Sequence, residues 1–521
     1  MDDDIKNQPQ NQSNASLDSI PNSTPIPEEV KETNMPQDQA GSIYESVTVE
    51  ETPTTAVPEE VPADVEENEV NEVTEPAPQI SSEPPIMVPE DNRGKYFIIG
   101  GGALLFLILL VVIFKAIFGG QTKPKEVNLT YWSLWEEKEI FTPLIELYQK
   151  KYPYIKINYQ KMSSQDYLDR LLARSKNNQG PDIFRFHNTW LPQIKELATP
   201  IPQSIMSNEE FDKTFYKIFQ TDLKSGNYYY GLPLYLDGLV LISNDGLLKK
   251  AGIPLPPANW DEVTDAVSKL TVKDKSGQII TAGMALGTTS NIEHFSDIFG
   301  LMLLQNGGDL KKLDQPEAAG ALESYRKFAE PPNDFWSDNM SNSLAAFTQE
   351  RVAMIIAPSW QILSIKAANP DLKIKVTSVP TVPGGRPVSL ATYWVEGVSR
   401  YSSNQLEAWK FLKFLTEKDN LTRLYQLESQ TRLFGEAYSR VDLGQLLTQN
   451  EYLGAVIRQA DYYKSLPLSS RTFDNGLNTD IIKYIENAIN ATAQGVSYSE
   501  ALKTAKQGID QIYEKYKINQ L

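Results

Sequence analysis

Aromatic rings stand next to charged or amide side chains at several points of this 521-residue chain, and two of those points follow expected strands. Trp132 and Trp135 flank the end of a strand read over Asn128–Trp132, with Glu136 adjacent. Arg185, His187, Asn188 and Trp190 follow a second strand read over Asp182–Phe186, which comes after the Gly180-Pro181 turn. In open α/β sheets, ligands bind beyond the carboxyl ends of strands. Trp132, Trp135, Glu136, Arg185, Asn188 and Trp190 are therefore candidate ligand contacts. Each has a plainer competing role: Trp135 as an interior side chain under the first helix, Asp182 as the holder of its turn, His187 as a hydrogen-bonding or surface residue.

Catalysis has few residues to work with. The chain has no cysteine, which excludes disulfides, thiolate chemistry, Cys-type zinc sites and a lipobox anchor. Its two histidines, His187 and His294, are far apart in sequence and do not suggest a metal site, and no metal or cofactor is expected. No Gly-x-Ser-x-Gly, His-Glu-x-x-His or phosphate-loop motif is present. A glycosidase's two carboxylates would leave no motif, so that class is the one enzymatic alternative. The reading adopted is a binding protein, not an enzyme.

The elements that would position these residues alternate between helix and strand. Thr142 is placed as an N-cap with Pro143 at the first helical position, and Leu144, Ile145 and Tyr148 form that helix's apolar face up to Pro153. Ile155, Ile157 and Tyr159 alternate as in a strand, and Leu168, Leu171 and Leu172 return to helical spacing. Asn259 and Glu262 form a capping box for a helix that reaches about Leu270. This order predicts α/β architecture with parallel sheets. Nearly 400 residues exceed one core, so two lobes are expected.

Charge separates the chain into regions. Residues 1–92 hold 22 acidic residues against Lys6 and Lys31, hence −20, while the whole chain is −18 and the remainder +2. With no basic footprint, nucleic acid is excluded as a partner. The Pro-, Glu-, Asn- and Ser-rich tail buries too little apolar surface to offset its ordering entropy, so 1–92 is predicted to be disordered. Tyr96–Phe118 has Lys115 as its only charge and is long enough to cross a bilayer, so 93–120 is predicted to be a single transmembrane helix with its flanks. It begins too far into the chain for a signal peptide. Flanking Lys and Arg are balanced and do not orient it.

Residues 127–521 resemble the family 1 extracellular solute-binding proteins, the maltose-binding type. The resemblance rests on an ordered series of phrases. Leu-Thr-Tyr-Trp-Ser-Leu-Trp opens it at Leu129, and Gly-Pro-Asp-Ile-Phe and Tyr-Gly-Leu-Pro-Leu-Tyr follow at Gly180 and Tyr230. Lys-Lys-Ala-Gly-Ile-Pro runs into the capping box at Asn259. Phe-Thr-Gln-Glu-Arg-Val-Ala-Met-Ile-Ile-Ala-Pro-Ser-Trp ends at Trp360, Ser-Val-Pro-Thr-Val-Pro-Gly-Gly starts at Ser378, and Glu-Ala-Trp-Lys-Phe-Leu starts at Glu407. Two features depart from the pattern. Glu350 stands where the family commonly has Gly, and a tail with a retained helix replaces the usual exported start.

The resemblance implies a two-lobed, periplasmic-binding-protein-like (type 2) domain over 121–521. Crossings are expected near Leu234–Val240, Val376–Thr381 and Ser429–Arg432. Lobe one would comprise about 125–234 plus 381–428, and lobe two about 241–376 plus 432–521. It also implies a sugar or oligosaccharide ligand held between hinged lobes, and ABC transporter permease subunits as partners of a monomer. The tail would be cytoplasmic and the domain extracellular, joined by a single pass through the bilayer. Tyr235 and Asp237 at the first crossing, Trp360 at the end of the Val352–Ala357 strand, Tyr393 and Trp394 at a return, and Arg432 at the last crossing complete the implied contacts. Sugar rings offer an apolar C–H face to aromatics and a hydroxyl rim to Asp, Glu, Asn and Arg; all eight Trp lie beyond residue 125. The alternative function is a membrane-tethered sensor or adhesin that reuses the fold.

Overall fold

The computed structural model describes residues 106–110 and 125–518. The acidic tail lies outside the described residues, as does the Tyr96–Phe118 run except for Phe106–Leu110, which is helical. No helix among the described residues is long and apolar enough to cross a membrane.

Two larger sheets organise the described chain. Their strands in chain order are β1 (Val127–Ser133), β2 (Ile155–Lys161), β3 (Ile183–His187), β4 (Leu239–Asn244), β5 (Val272–Lys273), β6 (Ile279–Met284), β7 (Val352–Pro358), β8 (Ile374–Thr377) and β9 (Trp394–Val398). The first sheet has the order β9-β3-β1-β2 and the second β8-β4-β7-β6-β5, one for each of two α/β lobes. All side chains of β4 and β7 are buried, as expected for central strands covered on both faces.

The sheets are mixed, not parallel as the alternation of helices and strands predicts. β1 runs parallel to β2 and β3, and β6 parallel to β7. β9 is antiparallel to β3, β4 is antiparallel to both β7 and β8, and β5 is antiparallel to β6. A helical crossover enforces parallel pairing only between the strands it joins. β3 and β9 are more than two hundred residues apart, so no such unit constrains their sense.

Extended segments pair beside β9 and in the connections between the sheets. Leu232 bridges to Glu396, Tyr235 to Tyr438 and Gly238 to Ala391. Gly238 leaves no room for a side chain, because a Cβ there would lie 2.5 Å from the Leu390 carbonyl oxygen.

The helix read from Thr142 instead spans Lys138–Lys151, with Pro143 inside it. Ile140 and Phe141 are buried in the core, which draws the first turn into the helix. The carbonyl left without a donor by Pro143 is that of exposed Glu139. The cap at Asn259 forms, with Asn259 Oδ1 accepting from the Glu262 amide at 2.9 Å, while the reciprocal bond shifts by one residue: Glu262 Oε2 accepts from the Ala258 amide at 2.8 Å. The helix it opens spans Trp260–Leu270.

The departure at Glu350 has a backbone explanation. Its φ is +57°, in the left-handed region, immediately after the helix Ser343–Thr348. The Glu350 amide bonds the Phe347 carbonyl at 3.1 Å and the Arg351 amide bonds the Ala346 carbonyl at 2.7 Å, which is the Schellman arrangement that favours glycine. Glu350→Gly is expected to change stability by less than about 1 kcal/mol, since relief of the left-handed cost is offset by the larger unfolded-state entropy of glycine and by loss of the bond that Glu350 Oε2 accepts from Asn244 Nδ2 at 3.2 Å. Chemical denaturation of the variant beside the parent checks this.

Candidate functional site

A cavity of about 560 Å³ is lined by side chains from the first sheet, from the segment that follows β7 of the second, and from the connecting segments. Its aromatic wall begins after β1. Trp135 is 42% exposed, and its ring centroid lies 5.6 Å from that of Trp394 and 6.1 Å from that of Phe473. Trp394 opens β9, pairs in register with His187 of β3, and packs edge-on against His187 and Trp190. Trp360 stands across from them at the start of the helix Gln361–Ala368, edge-on to His294 at 5.9 Å.

Beneath the aromatics lies a buried ion cluster. Arg185 and Glu396 are cross-strand partners on β3 and β9, with Arg185 Nε 2.7 Å from Glu396 Oε1. Arg185 Nη1 also pairs with Glu136 Oε2. Burial alone would lower the Arg185 pKa, but the Glu136 and Glu396 carboxylates outweigh it and hold the guanidinium well above its ordinary value. Burial pushes the Glu396 carboxyl up, against the pull of Arg185. The Tyr235 ring covers the Arg185 guanidinium at 5.4 Å. Arg432 makes a second cluster, with Nη2 3.2 Å from Glu428 and 3.1 Å from Glu436. Burial raises both of those carboxyls, opposed by Arg432.

Asp237 ties one wall together. Its carboxylate accepts from the amides of Gly238 at 2.7 Å, Ser359 at 3.1 Å and Trp360 at 3.2 Å. Burial, then the nearby Glu436 charge, pushes its pKa up to about 7. His187 lies within hydrogen-bond distance of the Thr189 and Thr392 hydroxyls, and burial lowers its pKa to about 3, so the imidazole is neutral.

Of the candidates named from sequence, the structure brings Trp135, Glu136, Arg185, Tyr235, Asp237, Trp360, Tyr393, Trp394 and Arg432 to the cavity wall. Tyr393 reaches it while donating its hydroxyl to Asp222 at 2.7 Å. Trp132, Asn188 and Trp190 lie elsewhere. Trp132 donates to Gln160 on the neighbouring strand at 2.9 Å, with Arg174 over its ring. Asn188 donates to Asp222 and Ser465 and accepts from the Tyr393 amide. Trp190 is fully buried between Tyr167 and Trp394.

Sequence reasoning missed Glu293, Glu436, Arg471 and Phe473, which also line the cavity. Arg471 pairs with Glu293. Arg471 and Phe473 take left-handed backbone, with φ of +59° and +56°. The available signal was an aromatic between polar residues just before the Asp474-Asn475-Gly476 turn.

The bacterial extracellular solute-binding protein family matches residues 132–421. A binding protein of Brucella abortus (strain 2308) is 26% identical over 298 residues, covering 55% of this chain and 71% of that protein. Among solved structures, an ABC transporter solute-binding protein of Thermotoga lettingae bound with α-D-tagatose is 24% identical, with a TM-score of 0.58 over 74% of this chain and 100% of that one. The sugar-binding protein MalE of Xanthomonas citri is 18% identical, with a TM-score of 0.62 over 75% of this chain and 98% of that one. The family match spans more than half of the chain, including all of the second sheet and β2, β3 and β9 of the first: the chain belongs to the bacterial extracellular solute-binding proteins.

Proposed function

We propose that this chain captures a sugar or oligosaccharide between two hinged lobes outside the cell and delivers it to an ABC importer. The observation that carries the reading is the cavity itself. Trp135 and Trp394 line it on one side and Trp360 on the other, with carboxylates and guanidiniums between them. Such a surface covers a pyranose or furanose face and satisfies its hydroxyl rim. The solved structures named above add support, because one holds tagatose and the other is a sugar-binding protein.

In this reading lobe one comprises about 125–234 plus 381–428 and lobe two about 241–376 plus 432–521. The ligand shifts the population toward the closed form because it binds that form better. The nine candidates at the wall are its contacts, and the protein does no chemistry on what it holds. The run Tyr96–Phe118 anchors the domain to the bilayer, with residues 1–92 on the cytoplasmic side.

A thermal-shift screen of the 125–521 fragment against a saccharide panel tests the ligand class, since a ligand bound to the native state raises its stability by mass action. With a saccharide so identified, Trp360→Ala is expected to weaken binding by about 1–3 kcal/mol, the scale of a lost buried aromatic contact. Calorimetry on the folded variant checks it, and unchanged affinity would remove Trp360 from the site. For the topology, protease added to intact cells is expected to digest 125–521 and spare 1–92; digestion of the tail alone would reverse the orientation.

A further inference from the structure

Resting on the saccharide reading above, we propose that Thr392 contacts the bound sugar by donating its hydroxyl hydrogen to a ligand oxygen, and that His187 is the positioning residue that fixes this polarity. Both side chains line the cavity. One chain of hydrogen bonds runs from the interior to that wall, and its direction is set at the far end by groups that act in one sense only. The Ser469 backbone amide can only donate, and it donates to Asn478 Oδ1 at 3.2 Å, so the side-chain nitrogen of Asn478 faces the other way. Asn478 Nδ2 donates to Asp474 Oδ2 at 3.0 Å and to Thr189 Oγ1 at 2.8 Å. With Asn478 on its acceptor side, the Thr189 hydroxyl turns its own hydrogen to His187 Nδ1 at 2.9 Å. The Thr189 backbone amide donates to the same ring nitrogen at 3.4 Å.

Two donors aimed at Nδ1 leave that nitrogen no hydrogen of its own. The imidazole therefore carries its one hydrogen on Nε2, and Nε2 donates to Thr392 Oγ1 at 3.0 Å. Burial agrees with this geometry, since it outweighs the opposing pull of the Asp474 and Asp297 carboxylates and keeps the ring neutral. Turning the ring over would put carbon where each nitrogen now bonds. Thr392 Oγ1 is thus engaged as an acceptor, while its hydrogen meets no acceptor among the described residues. The Thr392 backbone amide donates to the Asp237 carbonyl at 3.0 Å, which holds the residue in place. The unmatched group on this part of the wall is a donor. A ligand seated against it must present an oxygen that accepts: a ring or glycosidic oxygen, or a hydroxyl whose own hydrogen goes elsewhere. A sugar lacking oxygen at that position would leave the Thr392 hydrogen unmatched and bind more weakly.

The test has two arms, both on the purified full-length chain. Nuclear magnetic resonance with nitrogen-labelled histidine reads the tautomer; His187 and His294 are the only histidines, and His187→Gln assigns the signals. A neutral His187 ring with its hydrogen on Nε2 is expected at neutral pH. A hydrogen on Nδ1, or on both nitrogens, would overturn the proposal. Titration calorimetry with glucose, maltose, cellobiose, mannobiose and tagatose then identifies saccharides that bind. For each of these, Thr392→Val, which keeps the shape and removes the hydroxyl, is expected to weaken binding about fivefold or more, the scale of one hydrogen bond, while Thr392→Ser stays within about twofold of the parent. His187→Phe is expected to weaken binding about threefold or more, and to add nothing on the Thr392→Val background, because the ring acts through that hydroxyl. His187→Gln, whose amide nitrogen can stand in for Nε2, is expected to restore most of the loss. Parent-like binding by Thr392→Val, or additive losses in the double variant, would overturn the proposal while leaving the saccharide reading intact. Silence from every saccharide would overturn both.

Discussion

Replacing Arg185 with methionine is expected to cost about 3–5 kcal/mol of stability, the penalty for removing one partner of a buried ion pair. Arg185 is 1% exposed and sits between Glu136 and Glu396, themselves nearly sealed from solvent. Without the guanidinium, two carboxylates share an apolar site with no counter-charge. They must either take up protons or draw in water, and both outcomes oppose folding. The methionine stem preserves much of the volume, so the loss reports charge more than packing. Chemical denaturation should show the midpoint falling. Adding Glu136→Gln and Glu396→Gln to the same chain should recover part of the loss, because a neutral cluster no longer has charge to strand. A variant as stable as the parent would mean that the cluster does not hold the two strands together.

Asp237→Ala is expected to remove about 2–4 kcal/mol and to weaken ligand binding as well. The carboxyl group satisfies the amides of Gly238, Ser359 and Trp360, and a buried donor left without an acceptor costs roughly 1–3 kcal/mol. Two of those amides belong to the turn that presents the Trp360 ring to the cavity. Asp237→Ala and Trp360→Ala should therefore be non-additive in affinity, since the first already displaces what the second deletes. Additive losses would separate the two residues.

The same substitution has a pH signature. Folding raises the Asp237 pKa from 3.8 to about 7, by burial first and the Glu436 charge second. The folded chain thus keeps a proton that the unfolded chain releases. The stability linked to that proton is fully present below the ordinary carboxyl range and is lost as pH rises toward 7. Asp237→Ala should flatten the decline over that window, and an unchanged slope would assign the pH dependence to other groups.

Much of the local structure was legible because short-range physics dictates it. The Asn259 cap starts its helix as read, since Asn259 and Glu262 lie within one turn of sequence. That Glu350 stands where the family commonly has Gly was visible in the sequence, and its left-handed backbone, with φ of +57°, came only with the structure. Pro143 misled, because burial of Ile140 and Phe141 extended the helix back past it. Parallel pairing was over-read, because β4 and β9 pair with strands to which no single crossover connects them.

The sequence by itself determined the alternation of elements, the need for two cores, the charge contrast between tail and domain, and a set of strand-end aromatics and charges. It did so because each of these depends on composition or on spacings of a few residues. Only the tertiary structure decided which of those side chains meet. Trp132 and Trp135 are three residues apart, yet the former bonds across to β2 while the latter opens onto the cavity. Arg185 and Glu396 are 211 residues apart and become neighbours through strand register alone. Glu436 and Phe473 arrive from segments with no strand-end signal. Local spacing specifies which face a residue occupies, and only the packing of distant segments specifies what that face meets.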